Sequence, residues 1–278
     1  MAATTGRGRA VPLALAAVIG HRGAAASAPE NTLAGLRRAK ALGCRWVEFD
    51  VRLTGDGALV LCHDSRLERT TSGGGALAVT SLATIRHYDA GSWFDPSFAG
   101  ERMPTLEEAL VLCVELNLGA NVEVKADRGR EYATAAAVAG AVTRLGHCVP
   151  ALLVSSFLPS ALAALRELLP QVPRGVLFRV VPRGWAPLAR RLGCTVIGAD
   201  HRRLRRRRIA EIREAGCQLA VYTVNDPARA RLLFGWGVTS VFTDAPDIIL
   251  RGAAGYRPVR PDAAPPGRPV STRQGACW

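Results

Sequence analysis

The stretch VIGHRGAAASAPENTLAGLRRAKALGCRWVEFDVRL, residues 18–53, contains one complete strand–helix–strand unit. Two apolar, β-prone runs at 17–20 and 46–53 flank a segment, 31–42, in which apolar residues recur with helical periodicity. Both runs are too apolar for exposed strands, so we expect them to be buried. A buried strand followed by a helix and a second buried strand indicates the α/β class.

The same alternation recurs along the rest of the chain. Six more β-prone runs lie at 120–124, 152–156, 175–178, 195–198, 219–224 and 240–243. Helical segments accompany them at 105–116, 130–145, 159–168, 184–191, 204–215, 227–234 and 246–250. Eight strand–helix units in about 230 residues predict a (β/α)8 TIM barrel. A doubly wound open sheet is the alternative, but its glycine-rich dinucleotide fingerprint is absent.

One unit departs from this rhythm. Residues 54–103 separate the second strand from the next helix, and they contain the turn TGDG and the strand-like run ALVLCHD. Long loops inside compact domains are usually functional, so we expect an insertion at the barrel mouth. We assign 1–16 to a ragged N-terminus, 17–252 to the barrel and 253–278, which is rich in Pro and Arg, to a disordered tail.

The chain is basic, with a formal net charge of +13, and only two of its 36 basic residues are lysines. This balance favours an anionic partner such as a phosphate substrate, a nucleic acid or a membrane surface. General enrichment in Arg, Ala, Gly and Pro explains most of the arginines equally well. We interpret the run from Arg202 to Arg208 as a solvated helix face, with weak contact to an anionic membrane as the alternative, and expect no nucleic acid partner.

The cysteines and the N-terminus bear on localisation. The seven cysteines form no CxxC motif, and most of them are interpreted as small core residues, which favours the reducing cytoplasm. Arg7 and Arg9 precede the run AVPLALAAVIG, which resembles the core of a signal peptide. That run continues directly into His21, so we interpret it as the first strand and keep secretion as a minor alternative. No apolar run reaches the roughly 18 residues of a spanning helix.

Three carboxylates mark the ends of the second and third predicted strands. Barrel enzymes carry their sites at the C-terminal ends of the strands. Glu48 and Asp50 are two residues apart and therefore share a face, and Glu123 stands in the same way on the next strand. Such a cluster is unfavourable without a cation, and oxygen ligands suit Mg²⁺ or Ca²⁺. The alternatives are an ion-paired face for the first two and a salt bridge to Lys125 for Glu123.

Histidines and basic groups complete the pattern. His21 and Arg22 end the first strand, and His63 follows the run ALVLC in the insertion. Two histidines beside a metal ion can serve as a general acid–base pair. Arg22 and Lys125 would hold phosphate oxygens. The residues themselves therefore predict chemistry at a phosphate group.

Several motifs together resemble one known family. They are GHRGAAASAPENTLAGLRRAKALGCRWVEFDVRLTGDGALVLCHDSRLERTTSGGG, GSWFDPSFAGERMPTLEEAL, NVEVK, VYTVND and VFTDAPD, in this order between Val18 and Leu250. They closely resemble the glycerophosphodiester phosphodiesterases, relatives of the phosphatidylinositol phospholipase C-like phosphodiesterases. The resemblance implies a (β/α)8 barrel with a small insertion after the second strand.

The resemblance also implies roles for the residues singled out above. It makes His21 and His63 the catalytic histidines, Glu48, Asp50 and Glu123 the divalent-metal ligands, and Arg22 and Lys125 the phosphate-contacting pair. The family hydrolyses glycerophosphodiesters to sn-glycerol 3-phosphate and an alcohol. By analogy, the glycerol 2-hydroxyl attacks phosphorus to give a cyclic phosphate, which water then opens. One histidine acts as base and the other as acid, and they exchange roles in the second step.

Tyr222 and Asn31 are two further positions with predicted roles, and two alternative functions make different predictions. Tyr222 stands where many family members carry tryptophan, which predicts an aromatic wall of the substrate site with an added hydroxyl. Asn31 is well placed to cap the helix that follows it. A lysophospholipase D would show a wider apolar rim around the insertion. A non-catalytic barrel that binds anionic polymers or membranes would depend on its arginines and not on the histidines.

Overall fold

The computed structural model describes residues 13–252, in which eight parallel strands close into a barrel. The strands, including the additional β3, are β1 (Val18–Gly20), β2 (Trp46–Leu53), β3 (Leu59–Leu61), β4 (Gly119–Val124), β5 (Leu152–Ser156), β6 (Arg174–Phe178), β7 (Cys194–Asp200), β8 (Gln218–Tyr222) and β9 (Ser240–Thr243). The sheet order is β1-β9-β8-β7-β6-β5-β4-β2, and pairing of β1 with β2 closes it, while β3 pairs antiparallel with β2. The predicted (β/α)8 barrel is confirmed.

Helices follow the barrel strands and cover the outside of the sheet. They are α1 (Leu33–Ala41), α2 (Leu82–Ile85), α3 (Leu106–Glu115), α4 (Glu131–Leu145), α5 (Pro159–Leu168), α6 (Trp185–Leu192), α7 (Arg206–Glu214), α8 (Pro227–Gly235) and α9 (Pro246–Gly252). All except α2, which lies in the insertion, correspond to predicted helices. Within the described part of the chain, no helix is both long and apolar enough to cross a membrane.

The N-cap of helix α1 lies one residue later than the sequence predicts. Thr32 is the N-cap, and its hydroxyl accepts a hydrogen bond from the Gly35 amide at 3.1 Å. Asn31 has a left-handed φ of 57° and a buried side chain that points into the barrel. The prediction that Asn31 caps the helix was wrong, because a carboxylate inside the barrel binds its amide more closely than the helix end does.

The barrel interior is apolar at the N-terminal ends of the strands. Inward-facing apolar side chains pack into one cluster there, namely Ile19, Trp46, Leu153, Val196, Ala220 and Phe242. Leu15, which precedes β1, joins this cluster, and the carbonyl of Leu13 accepts a hydrogen bond from Gln218. Because side chains alternate along a strand, the next inward position on each strand lies toward the C-terminal end. The apolar floor therefore places the polar side chains at the opposite mouth.

The segment between β2 and α3 has its own small core. Val60, Cys62, Leu67, Leu77, Ile85, Ala90 and Met103 are buried together. The Asp89 carboxylate accepts hydrogen bonds from the amides of Gly91, Ser92 and Gly100, which closes the loop that leads to α3. The insertion is thus a packed unit that can position a side chain at the mouth. The predicted tail at 253–278 and the first twelve residues of the predicted N-terminus lie outside the described residues.

Four of the six cysteines of the described region are small apolar core residues, while Cys217 is partly buried and Cys148 is exposed. Cys44, Cys62, Cys113 and Cys194 are buried free thiols, and burial raises the pKa of each to about 12. Such thiols are neutral and unreactive at physiological pH. The cytoplasmic location inferred from the cysteine pattern stays a prediction.

Candidate active site

The three carboxylates predicted to form a cluster do converge. Glu48 and Asp50 face the barrel interior from β2, and strand pairing sets Asp50 beside Glu123 of β4. One carboxylate oxygen from each of the three lies within 4.8 Å of the others. Glu48 and Asp50 are only 2% and 1% exposed. The parallel register alone therefore brings three acidic groups into one buried space.

Burial and mutual repulsion shift the pKa values of the carboxyl groups in this cluster. Burial and the neighbouring Asp50 raise the pKa of Glu48 to about 8. The same two causes raise the pKa of Glu123. Burial would raise the pKa of Asp50 as well, but the cations of Lys125 and Arg22 outweigh it and lower that pKa. Glu48 Oε1 is buried and has no hydrogen-bond partner among the described residues. An unpartnered carboxylate oxygen in an all-oxygen donor set fits a hard divalent cation.

The two predicted phosphate-binding cations border the carboxylates. Lys125 Nζ lies 2.6 Å from Glu123 Oε1 and 3.2 Å from Asp50 Oδ1. Arg22 Nε lies 3.3 Å from Asp50 Oδ2, and its amide donates to Glu48 Oε2 at 3.0 Å. The salt bridge considered as the alternative for Glu123 is therefore present. It lies within the carboxylate cluster and does not separate Glu123 from it.

His21 is held at the edge of the cluster by a carboxylate on the last strand of the barrel. Its Nδ1 lies 2.6 Å from Asp244 Oδ1, and Asn225 Nδ2 donates to Asp244 Oδ2 at 2.7 Å. His21 Nε2 lies 3.8 Å from Glu48 Oε2. Burial lowers the imidazole pKa, but Asp244 and Glu48 outweigh it, so that the pKa is raised. With the Nδ1 proton assigned to the Asp244 bond, Nε2 is the ring nitrogen that faces the carboxylate cluster.

His63 approaches from the insertion. It follows β3, and its backbone carbonyl accepts a hydrogen bond from Arg52 Nε at 2.9 Å. Its Nδ1 lies 2.6 Å from Asp64 Oδ1, and Arg69 Nε donates to the other oxygen of Asp64 at 2.5 Å. Burial lowers the pKa of His63. Each predicted catalytic histidine thus has a carboxylate that orients its ring through Nδ1, and neither Nε2 makes a hydrogen bond to a described residue.

All eight residues predicted for the site line one cavity of about 480 Å³. They are His21, Arg22, Glu48, Asp50, His63, Glu123, Lys125 and Tyr222. The Tyr222 hydroxyl donates to the Phe178 carbonyl at 2.8 Å, and its ring packs edge-on against Phe157 with centroids 5.8 Å apart. These two rings form an aromatic wall of the cavity. The assignment of a role to each residue remains a prediction at this point.

Sequence reasoning missed three supporting residues. Asp244 directly follows β9, so the rule that sites lie at the C-terminal ends of strands could have found it. Asp64 is adjacent to His63 in the chain. Asn31 Nδ2 donates to Asp50 Oδ2 at 3.0 Å, and its Oδ1 accepts from the Asp50 amide at 3.1 Å. Asn31 gave no signal of this kind, because its position before a helix favours capping.

The turn after β1 requires glycine on both sides of His21 and Arg22. A Cβ on Gly20 would lie 2.1 Å from the Gly23 carbonyl oxygen. Gly23 has a φ of 90°, and a Cβ there would lie 2.6 Å from the backbone of Gly35. Two backbone segments therefore meet where a side chain has no space.

We expect Gly23→Ala to lower the free energy of unfolding by about 3 kcal/mol or more, through left-handed strain together with the clash. Gly57→Ala is the matched control, because Gly57 has a similar φ of 86° and nothing within 4 Å of its Cβ position. We expect the control to lose only about 1 kcal/mol. Urea denaturation of both variants measures the difference, and equal losses would contradict the steric argument.

Arg206, Arg207 and Arg208 begin helix α7, while the residues 202–205 lie in the turn and at the N-cap before it. Arg207 and Arg208 both pair with Glu211, at 3.1 and 2.6 Å. These contacts are those of a solvated helix face, as the sequence predicts. Trp93, in the insertion, packs against Phe94 and does not line the cavity.

Comparison with known proteins shows the family. The model of the "Glycerophosphoryl diester phosphodiesterase family" matches residues 21–248. A glycerophosphodiester phosphodiesterase of Bacillus subtilis (strain 168) is 32% identical over 256 residues, covering 86% of each chain. One of Caldanaerobacter subterraneus subsp. tengcongensis is 30% identical over 234 residues, covering 84% of this chain and 96% of the relative.

A solved structure agrees with these relatives. An Oleispira antarctica phosphodiesterase, in complex with the product sn-glycerol-3-phosphate, matches this structure with a TM-score of 0.83 at 36% identity, covering 86% of this chain and 96% of that one. The family match spans all eight predicted site residues, and the resemblance inferred from the motifs is confirmed. The chain belongs to the glycerophosphoryl diester phosphodiesterase family, and it is an enzyme that hydrolyses phosphodiester bonds.

Proposed function

We propose that this enzyme hydrolyses glycerophosphodiesters to sn-glycerol 3-phosphate and an alcohol, in a reaction that requires a divalent cation. One observation carries the proposal: two carboxylate-bound histidines face a buried cluster of three carboxylates and two cations in a single cavity. Each component alone is common in proteins, but their convergence in one cavity matches the needs of phosphodiester cleavage.

Glu48, Asp50 and Glu123 would hold the cation, which is Mg²⁺ or Ca²⁺ by the hardness of the donor atoms. When bound, the ion neutralises charge at phosphorus and lowers the pKa of a coordinated hydroxyl. Asn31 positions Asp50 by the two hydrogen bonds between them. The unpartnered Oε1 of Glu48 supports this assignment, because a buried carboxylate oxygen without a partner is costly in a folded protein.

The histidines would move the protons. In the first step the glycerol 2-hydroxyl loses its proton to Nε2 of one histidine and attacks phosphorus. The P–O bond to the alcohol breaks, and Nε2 of the other histidine protonates the departing oxygen. In the second step a water molecule, deprotonated by that second histidine, opens the cyclic phosphate, and the first histidine returns its proton to the 2-hydroxyl. Arg22 and Lys125 hold the non-bridging phosphate oxygens throughout.

The substrate class is supported by the comparisons and by the shape of the cavity. The relatives are named for glycerophosphodiesters, and the Oleispira antarctica enzyme holds sn-glycerol-3-phosphate. From the insertion, His63 is the sole described residue that lines the cavity. The exposed Trp93 and its aromatic neighbours lie elsewhere. A wide apolar rim, which the lysophospholipase D alternative requires, is not formed by these residues, so small polar diesters are favoured.

The test is release of glycerol 3-phosphate from glycerophosphocholine and glycerophosphoethanolamine, with added Mg²⁺, Ca²⁺ or EDTA. We expect release with at least one of the two ions and none with EDTA. Absence of release from folded protein with both ions would exclude these substrates, and lysophosphatidylcholine would then be assayed in the same way. If that substrate is also inert, the non-catalytic binding alternative gains support.

We also propose that the run from Arg202 to Arg208 makes weak contact with anionic membranes. The arginines near the start of α7 that lack carboxylate partners support it, since each basic residue close to an anionic surface contributes about 1 kcal/mol. Co-sedimentation with vesicles containing phosphatidylserine, in low and physiological salt, measures the contact directly.

A further inference from the structure

One cation of the cavity differs from the others. Arg22 and Lys125 are ion-paired within the carboxylate cluster, and Arg52 Nη1 lies 3.0 Å from Asp127 Oδ1. Arg179 also lines the cavity, but among the described residues it makes no hydrogen bond and no ion pair. Its side chain is exposed. Arg179 is therefore a guanidinium whose five N–H donors are available to a ligand.

Arg179 lies across the mouth from the reacting groups. It directly follows β6, which is four strands away from β1 in either direction around the barrel. Arg22, at the end of β1, therefore faces it from the opposite side. The aromatic wall of Phe157 and Tyr222 lies on the same side as Arg179, and the Tyr222 hydroxyl is bonded to the residue before it, Phe178. A substrate whose phosphate lies against Arg22 and Lys125 would extend its other end toward this wall and Arg179.

The surroundings of Arg179 are also positive. The residues that follow it line a second groove of about 640 Å³, which contains Arg183, Arg203, Arg205, Arg207 and Arg208 with Glu211 as its one acidic residue. Asp200, at the end of the neighbouring strand β7, accepts a hydrogen bond from the Arg202 amide and lies 3.8 Å from Arg203. No described carboxylate thus neutralises Arg179. This side of the mouth attracts an anion and repels a cation.

We propose that Arg179 binds a second negative charge, a carboxylate or phosphate on the alcohol part of the glycerophosphodiester, and so sets the head-group preference of the enzyme. This inference rests on the proposed function. A guanidinium binds a carboxylate or phosphate through two parallel hydrogen bonds, which gives both affinity and orientation. Alcohols that carry only an ammonium group meet the same guanidinium as a like charge. The preferred substrates are therefore diesters with an acidic alcohol.

The test compares two substrates that differ by one carboxylate, glycerophosphoserine and glycerophosphoethanolamine. In the wild-type enzyme we expect the higher kcat/KM for glycerophosphoserine. In Arg179→Gln we expect the serine-to-ethanolamine ratio of kcat/KM to fall about tenfold, mainly through KM for the serine substrate, as loss of one charge-assisted pair predicts. Arg179→Lys should keep part of the preference. Arg183→Gln is the matched control, because Arg183 lines the neighbouring groove and not the cavity, and its ratio should stay unchanged.

Three results would overturn the inference. One is a wild-type enzyme that hydrolyses both substrates without preference for the carboxylate. Another is an equal loss on both substrates in Arg179→Gln, which would place Arg179 on the shared phosphodiester. The third is an unchanged ratio in that variant. A wild-type enzyme inactive on both substrates with Mg²⁺ and Ca²⁺ would instead refute the proposed function, and the inference with it. Because Arg179 is exposed and unpaired, we expect no change in Tm.

Discussion

His21→Ala is expected to lower kcat by about a hundredfold to ten-thousandfold, the usual contribution of a positioned general acid–base group. The ring is held by Asp244 and directs Nε2 toward the carboxylate cluster, so its removal takes away the atom that we propose exchanges the proton. KM should change little, because Arg22 and Lys125, the proposed phosphate-binding residues, remain in the variant. Steady-state assays of glycerophosphoethanolamine hydrolysis at saturating Mg²⁺ measure both constants.

His147→Ala is the matched control for this loss. His147 is exposed and lies outside the cavity, so we expect wild-type kinetics from it. The double variant His21→Ala, His63→Ala should lose far less than the product of the two single losses, because residues that act as a unit are not additive. Activity of His21→Ala within about threefold of the wild type would exclude His21 from the chemistry.

Glu48→Gln should abolish metal-dependent activity and, in EDTA, make the protein more stable. Burial and the neighbouring Asp50 raise the pKa of this carboxyl from 4.5 to about 8. The folded state therefore holds a proton that the unfolded state releases, and stability falls as pH rises from about 4.5 to 8. The amide cannot ionise, so the variant escapes this loss. At pH 8 we therefore expect the variant to unfold at a Tm several degrees above that of the wild type.

Assays of glycerophosphoethanolamine hydrolysis with added Mg²⁺ or Ca²⁺ measure the loss of activity, and thermal unfolding with and without metal measures the change in stability. In EDTA the advantage of Glu48→Gln over the wild type should disappear near pH 4.5, where the carboxyl is protonated in both states. Added Mg²⁺ or Ca²⁺ should raise the Tm of the wild type more than that of the variant, since a ligand that binds only the folded state stabilises it. Glu115→Gln, at an exposed position of α3, controls for the loss of one charge. Equal metal-induced shifts in all three proteins would remove Glu48 from the proposed metal site.

Stretches of local sequence were enough to predict the barrel. A few residues are enough to show whether a segment has strand or helical periodicity. Eight alternating strand–helix units are then accommodated by the closed (β/α)8 barrel. The spacing of Glu48 and Asp50 similarly places both on one face of a strand without any knowledge of the rest of the chain. These predictions succeeded because each depends on backbone geometry within a single element.

The supporting contacts depend on positions far apart in the chain. His21 and Asp244 are separated by 223 residues and meet only because β9 closes the barrel against β1. The error at Asn31 has the same origin. Its side chain hydrogen-bonds the Asp50 carboxylate of β2 and does not cap the helix that follows it. Local propensities are worth about 1 kcal/mol, and a buried hydrogen bond to a charged group exceeds that.

The fold class, the carboxylate pattern and the two candidate histidines are readable in the linear sequence, because period, spacing and residue type are local properties. The tertiary structure sets which carboxylate orients each histidine, how the cations share the cluster, and which guanidinium of the cavity has no partner among the described residues. Those outcomes depend on the closure of the barrel, which sets residues from all of its strands around one mouth. The charge balance at that mouth is a property of the assembled site and of no single segment.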